Sequence, residues 1–203
     1  MLQRALALVA LLVLGAGASA CGSLTIASVG APAINCVFDT DCTITVSDFV
    51  DEFGVPLASG DARLQSRSQP PGEPGTPGAG LFAHEYRVDL TPAGALTAIV
   101  CVSSLSLDFG PIERLDYDGD GDLDHVYVVT SGGLGTVAPS SASRSDGRVT
   151  FSFQPGVCPG NAPGNGETSF FFGLASETPA GPFEATVRFD DGSATTVDAR
   201  SPG

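Results

Sequence analysis

The sequence predicts an all-β protein built as a single antiparallel β-sandwich. Apolar and polar residues alternate in many short segments, which is the pattern of strands with one buried face. After residue 20, no segment keeps an apolar stripe at the 3.6-residue period of a helix. Turn residues separate the segments at short intervals. Together these features favour about ten strands arranged as a jelly roll or an Ig-like sandwich.

The clearest strand covers residues 81–91. Its apolar face is predicted to carry Phe82, His84, Tyr86, Val88 and Leu90. Its polar face carries Glu85, Arg87 and Asp89. The strand is therefore expected to be half-buried, with His84 as a core histidine.

Further strands are predicted along the rest of the chain. The stronger ones lie at 96–109 (with Ile99 on the core face), 148–154 and 183–189. Weaker ones lie at 24–29, 42–50, 62–67, 125–130, 169–175 and 193–198. Three consecutive phenylalanines, 170–172, place rings on both faces of one strand, which favours burial between layers.

Glycine and proline mark the connections. Residues 69–80 (QPPGEPGTPGAG) are predicted to be a surface loop, and residues 158–167 (CPGNAPGNGE) form a second loop. Turns with Asp-Gly pairs are expected at 145–147, before a strand, and at 190–192, which joins the last two strands as a hairpin. The glycine-rich segment 131–135 lacks the Lys-Ser/Thr of a phosphate loop, so it is interpreted as a turn.

Residues 1–20 have the three parts of a signal peptide. Arg4 supplies a basic start, residues 5–14 are apolar, and the small residues Ala18-Ser19-Ala20 precede the cut site. The apolar run is too short to span a bilayer permanently. The expected domains are therefore a signal peptide at 1–20 and one β-sandwich domain at 21–203.

Cys21 directly follows the cut site, and it leaves two alternatives open. The segment resembles a bacterial lipoprotein signal, in which such a cysteine receives lipid, although Ala18 stands where that motif prefers leucine. The resemblance implies a lipid anchor at Cys21. The alternative is simple secretion. Both place the mature protein outside the cytoplasm, secreted or at the surface of a bacterial cell.

The other four cysteines are predicted to form two disulfides in an oxidising compartment. Cys36 and Cys42 flank five residues, a spacing that suits a hairpin staple. Cys101 and Cys158 each lie at or near an apolar strand. A metal site formed by these cysteines has little support, because no second pair stands at ligand spacing.

Charge excludes one class of partner. The chain has 23 acidic residues, nine arginines and no lysine, and its net charge is −14. Binding of nucleic acid requires clustered cations that neutralise phosphates, so nucleic acid is not an expected partner.

The strongest motif is D-Y-D-G-D-G-D-L-D at residues 116–124. Its spacing matches positions 1, 3, 5, 7 and 9 of a calcium loop, with Gly121 at the sharp turn. The predicted ligands are the carboxylates of Asp116, Asp118 and Asp120, the carbonyl of Asp122, and Asp124 directly or through water. These hard oxygen donors indicate Ca²⁺ as the cofactor.

The continuation of this motif departs from an EF-hand. The twelfth position is Tyr127 instead of glutamate, and 125–130 is a β-branched and aromatic segment. The loop resembles the strand–loop–strand calcium loops of FG-GAP repeats in integrin-type propellers, over roughly fifteen residues. This resemblance implies a bound calcium ion, and the propeller itself does not carry over because the chain has one such loop. The alternative is a solvated acidic turn without an ion.

No catalytic motif accompanies these features. The sequence lacks H-E-x-x-H and G-x-S-x-G. The favoured hypothesis is a non-catalytic module of the cell surface or extracellular matrix, whose partner is a protein or a glycan. The alternatives are a calcium-dependent carbohydrate-binding module, which the absence of Trp disfavours, and a jelly-roll hydrolase or lyase using calcium.

Overall fold

The computed structural model describes residues 22–43 and 45–202. It contains fourteen strands and one short helix. The elements are β1 Gly22–Leu24, β2 Ile26–Gly30, α1 Ala31–Cys36, β3 Ser47–Gly54, β4 Ala58–Ser59, β5 Asp61–Ser68, β6 Phe82–Asp89, β7 Gly94–Ala95, β8 Val102–Asp108, β9 Val126–Ser131, β10 Ser141–Ser145, β11 Arg148–Val157, β12 Phe172–Ser176, β13 Ala180–Phe189 and β14 Ala194–Pro202. The prediction of an all-β sandwich is confirmed.

Two six-stranded sheets pack face to face. Sheet A has the order β1-β10-β11-β8-β13-β14, and sheet B has the order β2-β9-β12-β6-β5-β3. All pairs in the two sheets are antiparallel except β2 with β9, which is parallel. The two-residue strands β4 and β7 pair with each other apart from both sheets. Sheet B is therefore mixed, whereas the sequence predicts antiparallel strands throughout.

The inner core lies between the two sheets and is almost entirely apolar. Tyr86 and Phe172 of sheet B meet Phe151 of sheet A, with ring centroids 4.6 to 6.5 Å apart. These rings are fully buried. The alternation of the strands produces this core, since every second residue points inward.

A smaller outer core covers part of the opposite face of sheet B. It joins Ile34 of α1, Val37 and Phe38 with residues of β2, β9 and β12. The 69–80 loop packs here: Gly78 N donates to the carbonyl of Val37 at 2.8 Å, and a Cβ on Gly78 would lie 2.6 Å from the Phe38 ring. The predicted surface loop is thus a cover over a hydrophobic layer.

The outer core changes the interpretation of strand β6. His84 is 1% exposed, so the prediction of a core histidine is confirmed. Glu85 is only 2% exposed, although its face was expected to be open to solvent. Phe171 and Phe172 point into the outer and the inner core, respectively, which confirms burial on both faces.

Several strand boundaries differ from the sequence predictions. The strand expected at 42–50 is found as β3 at Ser47–Gly54, and β10 has no counterpart among the predicted strands. The segment expected as one strand at 24–29 is split into β1 and β2, because the chain crosses from sheet A to sheet B at Thr25. The strand expected at 96–109 begins only at Val102, and Ile99 is 54% exposed. The helix α1 was not predicted, since six residues are too few to show a helical stripe.

The predicted turns are present. Asp146 and Gly147 both have positive φ and join β10 to β11, as a two-residue hairpin requires. Residues 190–192 join β13 to β14. Within the described residues, no helix is long and apolar enough to cross a membrane. The predicted signal peptide and Cys21 lie outside the described residues.

Candidate metal centre

The acidic loop 116–124 brings three carboxylates together. One oxygen from each of Asp116, Asp118 and Asp120 lies within 4.8 Å of the other two. At this separation each pair of charges repels by about 1 kcal/mol even at the dielectric constant of water. A bound cation would convert this repulsion into attraction. The loop could therefore hold a metal ion.

Backbone hydrogen bonds hold the carboxylate of Asp116 inside the loop. Asp116 Oδ1 accepts from Gly119 N at 2.7 Å, and Asp116 Oδ2 accepts from Gly121 N at 3.1 Å. Gly119 and Gly121 have φ of +80° and +93°, a region that favours glycine. A carboxylate oxygen has two lone pairs, so each can accept one N–H and still face a cation. The glycines thus orient Asp116 toward the centre of the loop.

The carboxylates of Asp118 and Asp120 each accept a hydrogen bond from the backbone N–H two residues further along the chain. Asp120 Oδ1 accepts from Asp122 N at 2.8 Å, and Asp118 Oδ1 accepts from Asp120 N at 3.4 Å. The carboxylates of Asp122 and Asp124 stand outside the group of three. The roles expected for Asp122, through its carbonyl, and for Asp124, directly or through water, stay predictions.

The two ends of the loop are tied to each other. Leu115 and Asp124 exchange two backbone hydrogen bonds, of 3.0 and 2.8 Å. The Arg114 guanidinium donates to the carbonyl of Leu123, from Nε at 3.0 Å and also from Nη2. This closure presents residues 116–123 as one compact turn in front of β9.

Tyr117 anchors the loop in the outer core. Its side chain is 2% exposed, and its ring centroid lies 4.8 Å from that of Tyr127. Burial raises the pKa of Tyr117, so the hydroxyl stays protonated. The loop therefore combines an exposed carboxylate cluster with a buried aromatic anchor.

His125 joins the end of the loop to the sheet crossover. Its Nδ1 lies 2.9 Å from Thr25 Oγ1 and accepts from Thr25 N at 3.3 Å. Partial burial and the nearby Arg114 guanidinium lower the pKa of His125. The neutral ring thus braces Thr25, where the chain passes from β1 to β2.

Both predicted disulfides are formed. Cys36–Cys42 closes the segment after α1, and Cys101–Cys158 joins the residue before β8 to the residue after β11. The second bond also fixes the start of the 158–167 loop, where Cys158 N donates to Glu167 Oε2 at 2.9 Å.

A buried polar cluster on the outer face of sheet B has no counterpart in the sequence predictions. Glu85 of β6 lies beside Arg67 of β5, and Tyr127 of β9 donates its hydroxyl to Glu85 Oε1 at 3.0 Å. Burial raises the pKa of Glu85, while the attraction of Arg67 and the Tyr127 hydrogen bond oppose that shift. The three residues come from three strands, so only the pairing of the sheet brings them together.

Comparison with known proteins gives no relative. No protein-family model, curated protein or solved structure matches the chain. Function must therefore be inferred from the chemistry of the site.

Proposed function

We propose that this protein is an exported, non-catalytic β-sandwich module of the cell surface or extracellular matrix, stabilised by one structural Ca²⁺ and two disulfides. The observation that carries the proposal is the convergence of Asp116, Asp118 and Asp120 in one braced loop. Oxygen-only donors suit a hard cation such as Ca²⁺. The two disulfides agree with an oxidising compartment, and the signal-like segment 1–20 points the same way.

The proposed role of the ion is to stabilise the loop 116–124, which leads into β9. The loop precedes β9, which lies next to the edge strand of sheet B, and Tyr117 links it to the outer core. A cation that binds only the folded loop stabilises the native state by mass action. One Ca²⁺ also changes the formal net charge from −14 to about −12, and it does so at the acidic loop, where the carboxylates are closest together.

Thermal unfolding with calcium and with chelator tests this proposal. For a dissociation constant of about 10⁻⁴ to 10⁻³ M, about 10 mM Ca²⁺ should stabilise the fold by about 1.4 to 2.7 kcal/mol. This corresponds to a rise in Tm of roughly 3 to 10 °C for a chain of this size.

Matched variants separate a specific site from general screening. Asp118→Asn and Asp120→Asn should abolish the calcium response, while Asp61→Asn, an exposed carboxylate outside the loop, should keep it. A Tm that ignores both calcium and chelator would refute the calcium site. An equal response in all three variants would indicate ionic screening instead.

The tyrosines favour the non-catalytic module over the carbohydrate-binding alternative. Sugar platforms use exposed aromatic faces, and the chain has no tryptophan. Tyr86, Tyr117 and Tyr127 are 0 to 2% exposed, so none offers its ring to a ligand at the surface. A glycan array, run with and without calcium, should therefore show no calcium-dependent binding.

Anchoring at Cys21 is a separate part of the proposal. Lipidation would hold the module at a membrane, while an unmodified Cys21 would indicate release into the medium. Mass spectrometry of the mature N-terminus distinguishes the two, because a lipid adds a large, defined mass to the first residue.

A further inference from the structure

Large aliphatic side chains are exposed at the end of the sandwich opposite the acidic loop. Leu57, between β3 and β5, is 53% exposed, and Leu96 and Ile99, between β6 and β8, are 68% and 54% exposed. The two connections touch, because Leu96 N donates to the carbonyl of Leu57 at 2.8 Å. Strands β6 and β9 run in the same direction, since each is antiparallel to β12. The connection that follows β6 and the acidic loop that precedes β9 therefore lie at opposite ends.

Three connections meet at this end and are braced against one another. We define them, residues 54–60, 90–101 and 158–166, as the apolar tip. Strands β4 and β7 pair across the first two connections. Ala95 N donates to the carbonyl of Gly160 at 2.8 Å, and the Cys101–Cys158 disulfide also joins the second connection to the third. A surface held in this way loses little conformational freedom when it binds.

The apolar tip contains no charged residue, in a chain with 23 acidic and nine basic residues. Apart from the three large aliphatic residues, its exposed positions are Gly, Ser, Thr, Ala, Pro and Asn. Carboxylates stand at its rim: Asp61 follows the first connection, and Asp190 Oδ1 accepts from Cys101 N at 3.1 Å. An uncharged surface with an acidic rim can enter an apolar phase as far as the rim and no further.

The backbone at Leu57 supports a role for its side chain outside the folded chain. Leu57 has φ of +57°, in the left-handed region that favours Gly and Asn. Its side chain is exposed, so burial within the protein does not offset the cost of this conformation. An exposed leucine held in a costly backbone conformation is expected where the side chain contacts a partner.

Composition and charge favour a lipid surface over a protein. Protein interfaces depend on Trp, Tyr and Arg anchors, and the apolar tip has none of them. Leu and Ile partition into hydrocarbon, and the absence of charge removes the largest cost of entering it. Association with a second copy would bring together two acidic rims on chains of net charge −14. The same acidity opposes contact with anionic lipid, so the complementary surface is zwitterionic.

We propose that the apolar tip inserts Leu57, Leu96 and Ile99 into the interface of a zwitterionic lipid membrane. The pairing of β4 with β7 and the bond from Leu96 N to the Leu57 carbonyl satisfy backbone groups that are costly to remove from water. Insertion stops at the acidic rim. The binding is independent of calcium, because the acidic loop lies at the other end of the sandwich.

Flotation with phosphatidylcholine vesicles tests the proposal. The protein is residues 21–203, produced without lipid on Cys21, and a chelator excludes any effect of the calcium loop. Half-maximal binding is expected at about 1 mM lipid, weaker than the roughly 0.1 mM of a single myristoyl chain. Replacing one third of the lipid by phosphatidylglycerol should weaken binding about five-fold at low ionic strength. No binding to phosphatidylcholine, or tighter binding to the anionic vesicles, would overturn the proposal.

The absence of tryptophan from the chain allows a reporter at a single position. The fluorescence of Leu96→Trp should shift to the blue, saturably, as phosphatidylcholine vesicles are added. Leu123→Trp is the matched control, because Leu123 is 49% exposed in the acidic loop and adds the same indole at the opposite end. Its emission should not shift. Equal shifts for the two variants would show that the vesicles do not select the apolar tip.

Leu→Asn variants test the side chains themselves. Leu57→Asn and Leu96→Asn should each weaken binding by about five-fold, while Leu123→Asn should leave it unchanged. Asparagine suits the backbone at residue 57, so Leu57→Asn should keep the Tm of the wild type or raise it, which separates loss of binding from loss of fold. Full binding by Leu96→Asn, or equal weakening by Leu123→Asn, would contradict insertion of the tip. Self-association that Leu96→Asn abolishes, without vesicle binding, would make the tip a protein interface instead.

Discussion

The two faces of sheet B bury side chains by different chemistry. Toward sheet A, the inner core is apolar, and aromatic rings such as Phe172 pack against rings of the other sheet. On the opposite face, the outer core buries Tyr117 and Tyr127 beside the charged Glu85 and Arg67. Apolar burial supplies most folding free energy, whereas a buried ion pair adds little net stability. Most of the folding free energy therefore comes from the inner core, and the buried ionisable groups lie in the outer one.

Phe171 and Phe172 offer the most direct way to break this comparison, because adjacent residues point into the two cores. Phe172→Ala should cost about 3 to 5 kcal/mol, since it opens a cavity among fully buried rings. Phe171→Ala should cost less, about 3 kcal/mol, because Phe171 packs in the smaller outer core and is 5% exposed. It also loses its stacking under Arg67, whose guanidinium carbon lies 3.9 Å from the ring centroid. Urea denaturation measures both values, and equal losses would contradict the assignment.

The two disulfides extend the comparison to the covalent links. Cys101–Cys158 links residues 57 positions apart beside the inner core, and Cys36–Cys42 links residues six positions apart beside the outer core. Loop-closure entropy predicts a loss of about 4 kcal/mol for the first bond and about 2 kcal/mol for the second. Paired Cys→Ser variants, compared by urea denaturation, test this order. A larger loss from the short loop would show that local geometry outweighs chain entropy.

His84 makes the stability of the inner core depend on pH. Burial lowers the pKa of His84 to about 4, and its Nε2 lies 3.1 Å from the carbonyl of Thr178. The unfolded chain binds this proton below about pH 6.5, and the folded chain only below about pH 4. Stability should therefore fall as the pH drops from 6.5 to 4, by roughly 3 kcal/mol.

The matched variants for this effect are His84→Phe and His125→Gln, which change the two histidines of the chain. His84→Phe should remove the loss of stability between pH 6.5 and 4. The substitution can also change the free energy of unfolding by an amount that does not depend on pH, and this does not affect the test. His125→Gln should retain most of it, because His125 is only partly buried. Denaturant unfolding across this pH range is the measurement. Parallel profiles for the wild type and His84→Phe would exclude His84 as the cause.

Two buried tyrosine hydroxyls compare single hydrogen bonds in the outer and the inner core, with smaller expected losses of stability. Tyr127→Phe leaves a buried carboxylate oxygen without its donor and should cost about 1.5 to 3 kcal/mol. Tyr86→Phe removes a hydrogen bond to the neutral carbonyl of Arg200, 2.9 Å long, and should cost only about 0.5 to 1.5 kcal/mol. Both values come from chemical denaturation. The reverse order would mean that Glu85 does not depend on Tyr127.

The parts of the fold that follow from local sequence were predictable. Alternation in β6 and β11 revealed the inner core, and the Asp-Gly turns marked the start of β11 and the hairpin of β13 with β14. Sheet membership was not predictable, because β1 and β2 read as one apolar segment and separate only through their hydrogen-bonding partners. The parallel pairing of β2 with β9 likewise depends on contacts between strands that are far apart in the sequence.

The same division holds for the sites. The spacing of Asp116, Asp118 and Asp120 places them in one turn, so a local motif was enough to predict their convergence. Glu85 looked solvent-facing because its strand neighbours are charged. Its burial depends on α1 and on the 69–80 loop, which fold over that face from elsewhere in the chain. A site assembled from three strands and a cover leaves no compact signature in sequence.

Calorimetric titration of calcium into the mature protein tests the central claim most directly. The wild type should bind one Ca²⁺ with a Kd of about 10⁻⁴ to 10⁻³ M. Asp118→Asn should show no saturable binding, and Asp61→Asn should bind like the wild type. No saturable heat with the wild type, or an unchanged isotherm with Asp118→Asn, would contradict a calcium site at residues 116–124.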